Sequence, residues 1–305
     1  MNSTNGKLYF FNVGIEAVRC NIVQTYAGIL APVVALPSVM LAHAISRRLG
    51  DLDLRGVGIV HRSAVKWEDF IENKNGFVST VLLKRRGQCL FGACDSRDGK
   101  HPQSNSIMPE ALADIEVKLM LVCGRDVEPQ DVEDVVLSMR LAGGRIARVD
   151  VARFENPTDA ARNALRGGYL VDDVTPLMAG ADGNDGPVDP ALALFETLAE
   201  RSSPWMAPAN LGYALLENPQ TNRAGTRDGY PHAFCEPMIG LVRFVSSRQI
   251  LEDVMESRLS FEQLLWRQHW IGDERDQFIV TNHPEAYPCL AQSTTTTTTT
   301  TTSEE

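Results

Sequence analysis

The stretch LADIEVKLMLV (Leu112–Val122) decides the fold. Ile115, Val117, Leu119 and Leu121 alternate with Asp114, Glu116 and Lys118. A period of two is that of a strand with one buried face. Downstream, QDVEDVVLSMRL (Gln130–Leu141) carries Val132, Val135, Val136 and Met139 at helical spacing. Its acids Asp131, Glu133 and Asp134 suit an N-terminal turn, and Gly143 or Gly144 supplies a stop. RIARVDVARF (Arg145–Phe154) alternates again and predicts a strand. This part of the chain therefore reads β-α-β.

The same unit precedes it. LYFFNVGIEAV (Leu8–Val18) is rich in aromatic and β-branched residues and predicts a strand. After a loop with Gly28 and Pro32, Leu36–Leu49 has Val39, Met40, Ala42, Ile45 and Leu49 at helical spacing, opened by Pro37 and Ser38 and stopped by Gly50. Gly56–Val65 predicts the next strand and Phe77–Lys84 a further extended segment. Residues 85–110, rich in Gly, Asp, Ser, Asn and Pro, read as a long irregular excursion. Two β-α-β units with an excursion between them predict an α+β chain. Its residues 1–155 form a ferredoxin-like, RNA-recognition-motif-like domain with a thumb-like insertion at about 85–110.

Residues 156–292 read as a mixed α+β region. Helices are predicted near Asp159–Arg166, Ala191–Arg201, Arg248–Arg258 and Ser260–His269, with a strand at Tyr169–Asp172 and an acidic loop at Ala179–Pro190. Residues 293–305, with nine threonines in a row from Thr294 to Thr302, read as a disordered tail because they have no apolar face to bury.

The 305 residues are 44% hydrophobic and 22% charged, which excludes a disordered chain. The net charge of −10 argues, taken whole, against a nucleic-acid binder. Its distribution reverses that inference. Residues 1–155 hold 19 basic and 18 acidic groups, and residues 156–305 hold 10 basic and 21 acidic. Asp172–Glu200 contains seven acids and no Lys or Arg, a surface suited to solvent and protein partners. Six scattered cysteines without a CxxC pair suggest free thiols in a reducing compartment. With no evident signal peptide, and with the apolar run Ala27–Ala44 broken by Pro32 and Pro37, a cytoplasmic location is expected.

Catalytic and nucleotide-binding motifs are absent: no HExxH, GxSxG, GxxxxGK[ST] or complete GxGxxG occurs, and no cofactor or metal site is expected. His61 beside Arg62 could move a ribose hydroxyl proton, and Trp266 and Trp270 could stack bases from a helix. The basic groups say more. Arg47 and Arg48 end the first helix; Lys84, Arg85 and Arg86 open the excursion; Arg97 and Lys100 lie within it; Arg140 and Arg145 flank Gly143 and Gly144. Glycines beside arginines let a phosphate approach backbone N–H groups while guanidinium forks grip its oxygens.

At these residues the chain resembles the Cas-five (Csy-two) subunit of the type I-F CRISPR RNA-guided surveillance complex. LPSVMLAHAISRRLGDLDLRGVGIVHR (Leu36–Arg62) looks like the family's helix ending in paired basics and its following strand. SMRLAGGRI (Ser138–Ile146) is close to its M-R-L-A-G-G-x-I signature. Arg97–Leu121, Pro204–Leu216, Arg227–Ile250 and Leu264–Trp270 match further family segments in the same order. The chain departs from the family pattern before the first helix (AGILAPVVALPS), in the excursion (FGACDSRDG) and at VRFVSSRQ.

The resemblance implies a non-catalytic subunit that holds the 5′ handle of the CRISPR RNA and caps the backbone filament. It also implies contact with the neighbouring backbone subunit through the thumb, and a large subunit that reads the motif flanking the DNA target. Handle contacts are then expected from Arg47, Arg48, Arg140, Gly143, Gly144 and Arg145. Thumb or adjoining RNA contacts are expected from Lys84, Arg85, Arg86, Arg97 and Lys100, with Arg223 and Arg227 added from a matching R-D element. Two other readings stay open: an endoribonuclease that processes CRISPR RNA with His61 or His101 as base, and a subunit that reads the target-flanking motif itself.

Overall fold

The computed structural model describes residues 7–23, 29–67, 69–73, 76–80, 82–86, 107–178, 190–200, 205–221, 231–256, 259–271 and 276–287. In chain order the first elements are β1 (Tyr9–Asn21), α1 (Ala35–Arg48), β2 (Leu54–Lys66), β3 (Asp69–Asn73), β4 (Gly76–Thr80), β5 (Leu82–Arg86), β6 (Ile107–Cys123), α2 (Pro129–Leu137), β7 (Arg140–Leu141) and β8 (Gly144–Phe154). They are followed by α3 (Pro157–Leu165), β9 (Tyr169–Asp173), α4 (Pro190–Glu200), β10 (Met206–Leu215), β11 (Cys235–Ser246), α5 (Ser247–Met255), β12 (Arg267–Ile271) and β13 (Gln277–Thr281). The architecture is α+β, dominated by one antiparallel sheet.

The decisive strand is central. β6 pairs antiparallel with β1 (Val13 opposite Leu119) and with β2 (Ile59 opposite Leu119), and β1 pairs on its other side with β8 (Val13 opposite Val151). β1 and β2 therefore run parallel with β6 between them, joined by α1, while β6 and β8 flank β1 and are joined by α2. The sheet continues past β2 through β9, β11, β10, β13 and β12, so residues on both sides of position 155 share it.

Alternation explains which face is buried. Phe11, Val13 and Ile15 of β1 and Ile115, Val117, Leu119 and Leu121 of β6 pack with Val39, Ala42 and Ile45 of α1 and Val132 and Val136 of α2. The other face is partly covered too. Phe10, Met120 and Val122 pack against Ala160, Ala161 and Ala164 of α3 and Ile250 of α5. Asp114, Glu116 and Lys118 lie where that cover ends and remain partly exposed. The second layer over one end of the sheet is why β6 alternates over Asp114–Lys118 and is buried on both faces from Leu119 to Cys123.

Three sequence expectations are corrected. The helix expected over Gln130–Leu141 ends at Leu137, where the Ser138 hydroxyl donates to the Val135 carbonyl (2.7 Å) and Arg140–Leu141 enters the sheet. The helix expected over Ser260–His269 is a 3₁₀ turn, Phe261–Leu264, followed by β12. Leu264, Leu265 and Trp266 are all buried in succession, a pattern one helix face cannot supply. The excursion is not irregular at its root. Arg85 and Arg86 pair with Met108 and Ile107 in a β5–β6 ladder. Residues 87–106, most of the acidic loop and the threonine-rich tail lie outside the described residues.

Cys20 and Cys123 are buried free thiols whose ionisation burial pushes up to about 11 and about 12, while Cys235 is exposed. Among the described residues no helix is long and apolar enough to cross a membrane, and no group of three His, Cys, Asp or Glu side chains is set to hold a metal.

Candidate nucleic-acid interface

The glycine pair belongs to a tight hairpin. Arg140 opposes Arg145 and Leu141 opposes Gly144 in the β7–β8 register, with Ala142 (φ 47°) and Gly143 (φ 77°) at the turn. Both turn residues occupy the left-handed region that two-residue hairpins require. The two glycines do different jobs. Gly143 faces open space, whereas a Cβ on Gly144 would lie 2.6 Å from Cys20 Sγ and 2.7 Å from the Val18 carbonyl oxygen. Leu141 is fully buried and pins the hairpin to the core.

Among the described residues, the hairpin leaves two cations unneutralised. Arg140 donates to its own turn at Gly143 O (3.3 Å), and neither Arg140 nor Arg145 has a carboxylate partner among the described residues. Their neighbours differ. Arg148 pairs with Glu16 (3.2 Å), and Arg153 pairs with Asp126 (2.6 Å) and lies over the Tyr9 ring. Of the four arginines that cluster in the sequence between 140 and 153, two are neutralised by carboxylates and two have no carboxylate partner among the described residues.

Arg48 joins Arg140. Its guanidinium donates to the Ser138 hydroxyl (2.8 Å), a neutral partner. Both arginines line a groove of about 530 Å³ between α1 and the α2–β7 connection, floored by Met40, Leu41 and Met139. Arg47 is exposed on the last turn of α1. Lys84, Arg85 and Arg86 lie on β5, whose backbone pairs with the first residues of β6. Two backbone bonds tie that root to the hairpin: Asn21 N–H donates to Ala142 O (2.9 Å), and Ile22 N–H donates to Ala111 O (2.8 Å). The expected residues Arg97, Lys100, Arg223 and Arg227, and the candidate base His101, lie outside the described residues.

At the same sheet end stand two residues that were not among the expected contacts. Arg19 is the extra residue of a bulge between the pairs Ala17–Ile115 and Cys20–Ala113, with φ of 58° and its N–H donating to Asp114 Oδ1 (3.0 Å). Its guanidinium lies 5.4 Å from the centre of the Trp67 ring, and Trp67 is 41% exposed. The signal was present in β1. Phe11, Val13, Ile15 and Ala17 point inward, so strict alternation would bury Arg19; Cys20 is buried instead. A charged residue falling on the inward phase of a strand marks a bulge.

Other candidates change character. His61 is half-buried against the Phe244 ring (5.3 Å), and burial lowers its pKa. Trp266 and Trp270 form no helical stacking face: Trp266 is completely buried, with its indole N–H donating to Val171 O (3.0 Å), and only Trp270 is exposed.

The acidic stretch is also corrected at its start. Asp172 and Asp173 are 7% and 3% exposed, not part of a solvated face. Asp172 accepts from Arg243 (2.7 Å) and Asn282 (3.0 Å) and contacts His283 Nε2 (2.6 Å). Asp173 accepts from the Thr281 and Tyr287 hydroxyls, each at 2.6 Å. The pair anchors the segment after β13 to the sheet.

No protein-family model and no curated protein matches the sequence. Among solved structures, the chain is similar to a CRISPR protein from Archaeoglobus fulgidus at 10% identity and a TM-score of 0.24, over 78% of this chain and 93% of that one. At that score the likeness carries no argument for fold or function.

Proposed function

We propose that this protein is a non-catalytic RNA-binding subunit of a CRISPR surveillance complex of the type I-F kind, built on a ferredoxin-like core. In this reading it holds the 5′ handle of the CRISPR RNA and caps the backbone filament. A large subunit is the expected neighbour, and target DNA is contacted in the assembled complex. The sequence resemblance motivates the identity. The observation that carries RNA binding is the unneutralised Arg140–Arg145 pair on a hairpin whose turn glycine opens to solvent. Like charges directly opposed across a strand pair cost stability unless an anion bridges them. A phosphate on the RNA backbone is such an anion, and Arg48 on the adjoining groove extends the track.

The test is retention of labelled repeat RNA by the purified protein. Tight binding of uncut RNA that falls steeply with salt, and that is lost in the Arg140→Glu/Arg145→Glu double variant, supports the reading. Metal-independent cleavage lost in His61→Ala would sink it in favour of a processing endoribonuclease.

A further inference from the structure

We propose that Trp67, braced by Arg19, is a stacking site for one unpaired nucleobase at the root of the excursion. The inference rests on the nucleic-acid reading above and names a contact which that reading did not contain.

Three observations carry it. First, the Trp67 indole is 41% exposed, and a guanidinium lies over the ring. A cation on one face of an indole is attracted by the ring quadrupole and orients the ring, so that the opposite face is presented ready for stacking. Second, the geometry is held at a cost. Arg19 occupies the left-handed region, which a non-glycine residue adopts only where its surroundings impose it. Here the surroundings are visible: the Asp114 carboxylate takes the Arg19 N–H that the bulge removes from the ladder, and Cys20 is wedged against Gly144. Third, the position is on the proposed RNA path. Trp67 N–H donates to Leu112 O, next to Ala111, which takes the Ile22 N–H; Val18 of the bulged strand pairs with Arg145. The exposed Lys66 precedes Trp67.

An isolated exposed tryptophan on a protein surface needs no explanation. A tryptophan oriented by an arginine from a strained bulge, on a strand that pairs directly with that of Arg145, is a built site. Its chemistry accepts any base face and does not distinguish bases by hydrogen bonding. Ribose and deoxyribose strands share that chemistry, so the experiment separates them.

The experiment measures binding of the full-length chain to a short uridine oligoribonucleotide and to the thymidine oligodeoxynucleotide of the same length, by fluorescence anisotropy. Trp67→Ala is expected to weaken binding by about tenfold, and Trp67→Phe to restore most of it, as stacking predicts. Arg19→Ala is expected to weaken binding while leaving the slope of log affinity against log salt nearly unchanged, because Arg19 braces the ring rather than a phosphate. Preference for the uridine strand assigns the site to RNA, and preference for the thymidine strand assigns it to DNA. Wild-type affinity in Trp67→Ala, with loss of binding in Arg140→Glu/Arg145→Glu, overturns the stacking site and leaves the proposed function standing. Wild-type affinity in the arginine double variant, with loss in Trp67→Ala, does the reverse. Equal losses in Trp67→Ala and Trp67→Phe, with an unchanged melting temperature, also overturn stacking.

Discussion

Arg140 and Arg145 face each other across the β7–β8 hairpin without a carboxylate from the described residues between them. In the free protein this pairing is a repulsion of a few tenths of a kcal/mol, about the scale of other cross-strand pairs. Arg145→Ala is therefore expected to leave thermal stability unchanged or slightly raised while weakening RNA binding by about tenfold, the loss of one charge-assisted phosphate contact. A melting curve and a binding isotherm on the same preparation check both signs. A variant that loses stability and keeps affinity would mean that the pair serves folding and not a ligand.

The two hairpin glycines should respond differently to the same added methyl. Gly143→Ala meets no atom but must keep a φ of 77°, a cost of about 1 kcal/mol. Gly144→Ala would drive its Cβ into the Val18 carbonyl and the Cys20 backbone, which cannot rotate aside, and should cost about 3 kcal/mol or more. Denaturant unfolding of the two single variants distinguishes them. Equal losses would show that turn strain alone governs the site.

How much of this was legible in the sequence depended on whether a signal was local. The alternation of Ile115, Val117, Leu119 and Leu121 needs only nearest neighbours, and the β6 strand follows from it. The order of the two β-α-β units was readable for the same reason. The sequence extends the helix through Leu141 because Met139 continues the helical spacing, while the competing hairpin depends on Leu141 reaching a core built by distant strands. The free state of Arg140 and Arg145 was only half legible: their clustering with Arg148 and Arg153 was visible, but Glu16 and Asp126, which neutralise the latter two, are remote in sequence. Asp172 and Asp173 look like solvated acids in the sequence because their partners Thr281, Asn282, His283 and Tyr287 lie more than a hundred positions away.

His283 should make stability depend on pH. Its hydrogen bond to Asp172 raises its pKa above the ordinary 6.5 against the opposing effect of burial, with Glu285 contributing from the other ring nitrogen. Burial alone would raise the Asp172 carboxyl, but bonds from His283, Asn282 and Arg243 outweigh it and hold the group below 3.8. The histidine's contribution is full below pH 6.5 and is lost as pH rises through its higher folded value. The aspartate's contribution is present above pH 3.8 and is lost as pH falls through its lower folded value. His283→Gln should cost about 1–3 kcal/mol in the window between, and its deficit should shrink as pH rises through the histidine's raised folded value. Unfolding curves across that range check it; a deficit independent of pH would show that His283 acts through packing alone.

Trp266 and Trp270 provide the contrast that tests how the end of the chain is held. Trp266 is fully buried, exchanges backbone hydrogen bonds with Val57 (2.8 and 3.0 Å) and donates its indole N–H to Val171 O. The close approach needs Gly56, since a Cβ there would lie 2.8 Å from Leu265 Cβ. Trp266→Phe removes the donor, leaves the buried Val171 carbonyl without that partner and opens a void, for a cost of about 2–4 kcal/mol. Trp270 is 48% exposed and, among the described residues, has one ring partner, Phe278 at 5.2 Å, so Trp270→Ala should cost about 1 kcal/mol or less. If Trp266 instead lay on a helix face with Trp270, both substitutions would remove comparable contacts and their costs would converge. Chemical denaturation of the two variants therefore decides between the strand and the helix for residues 267–271.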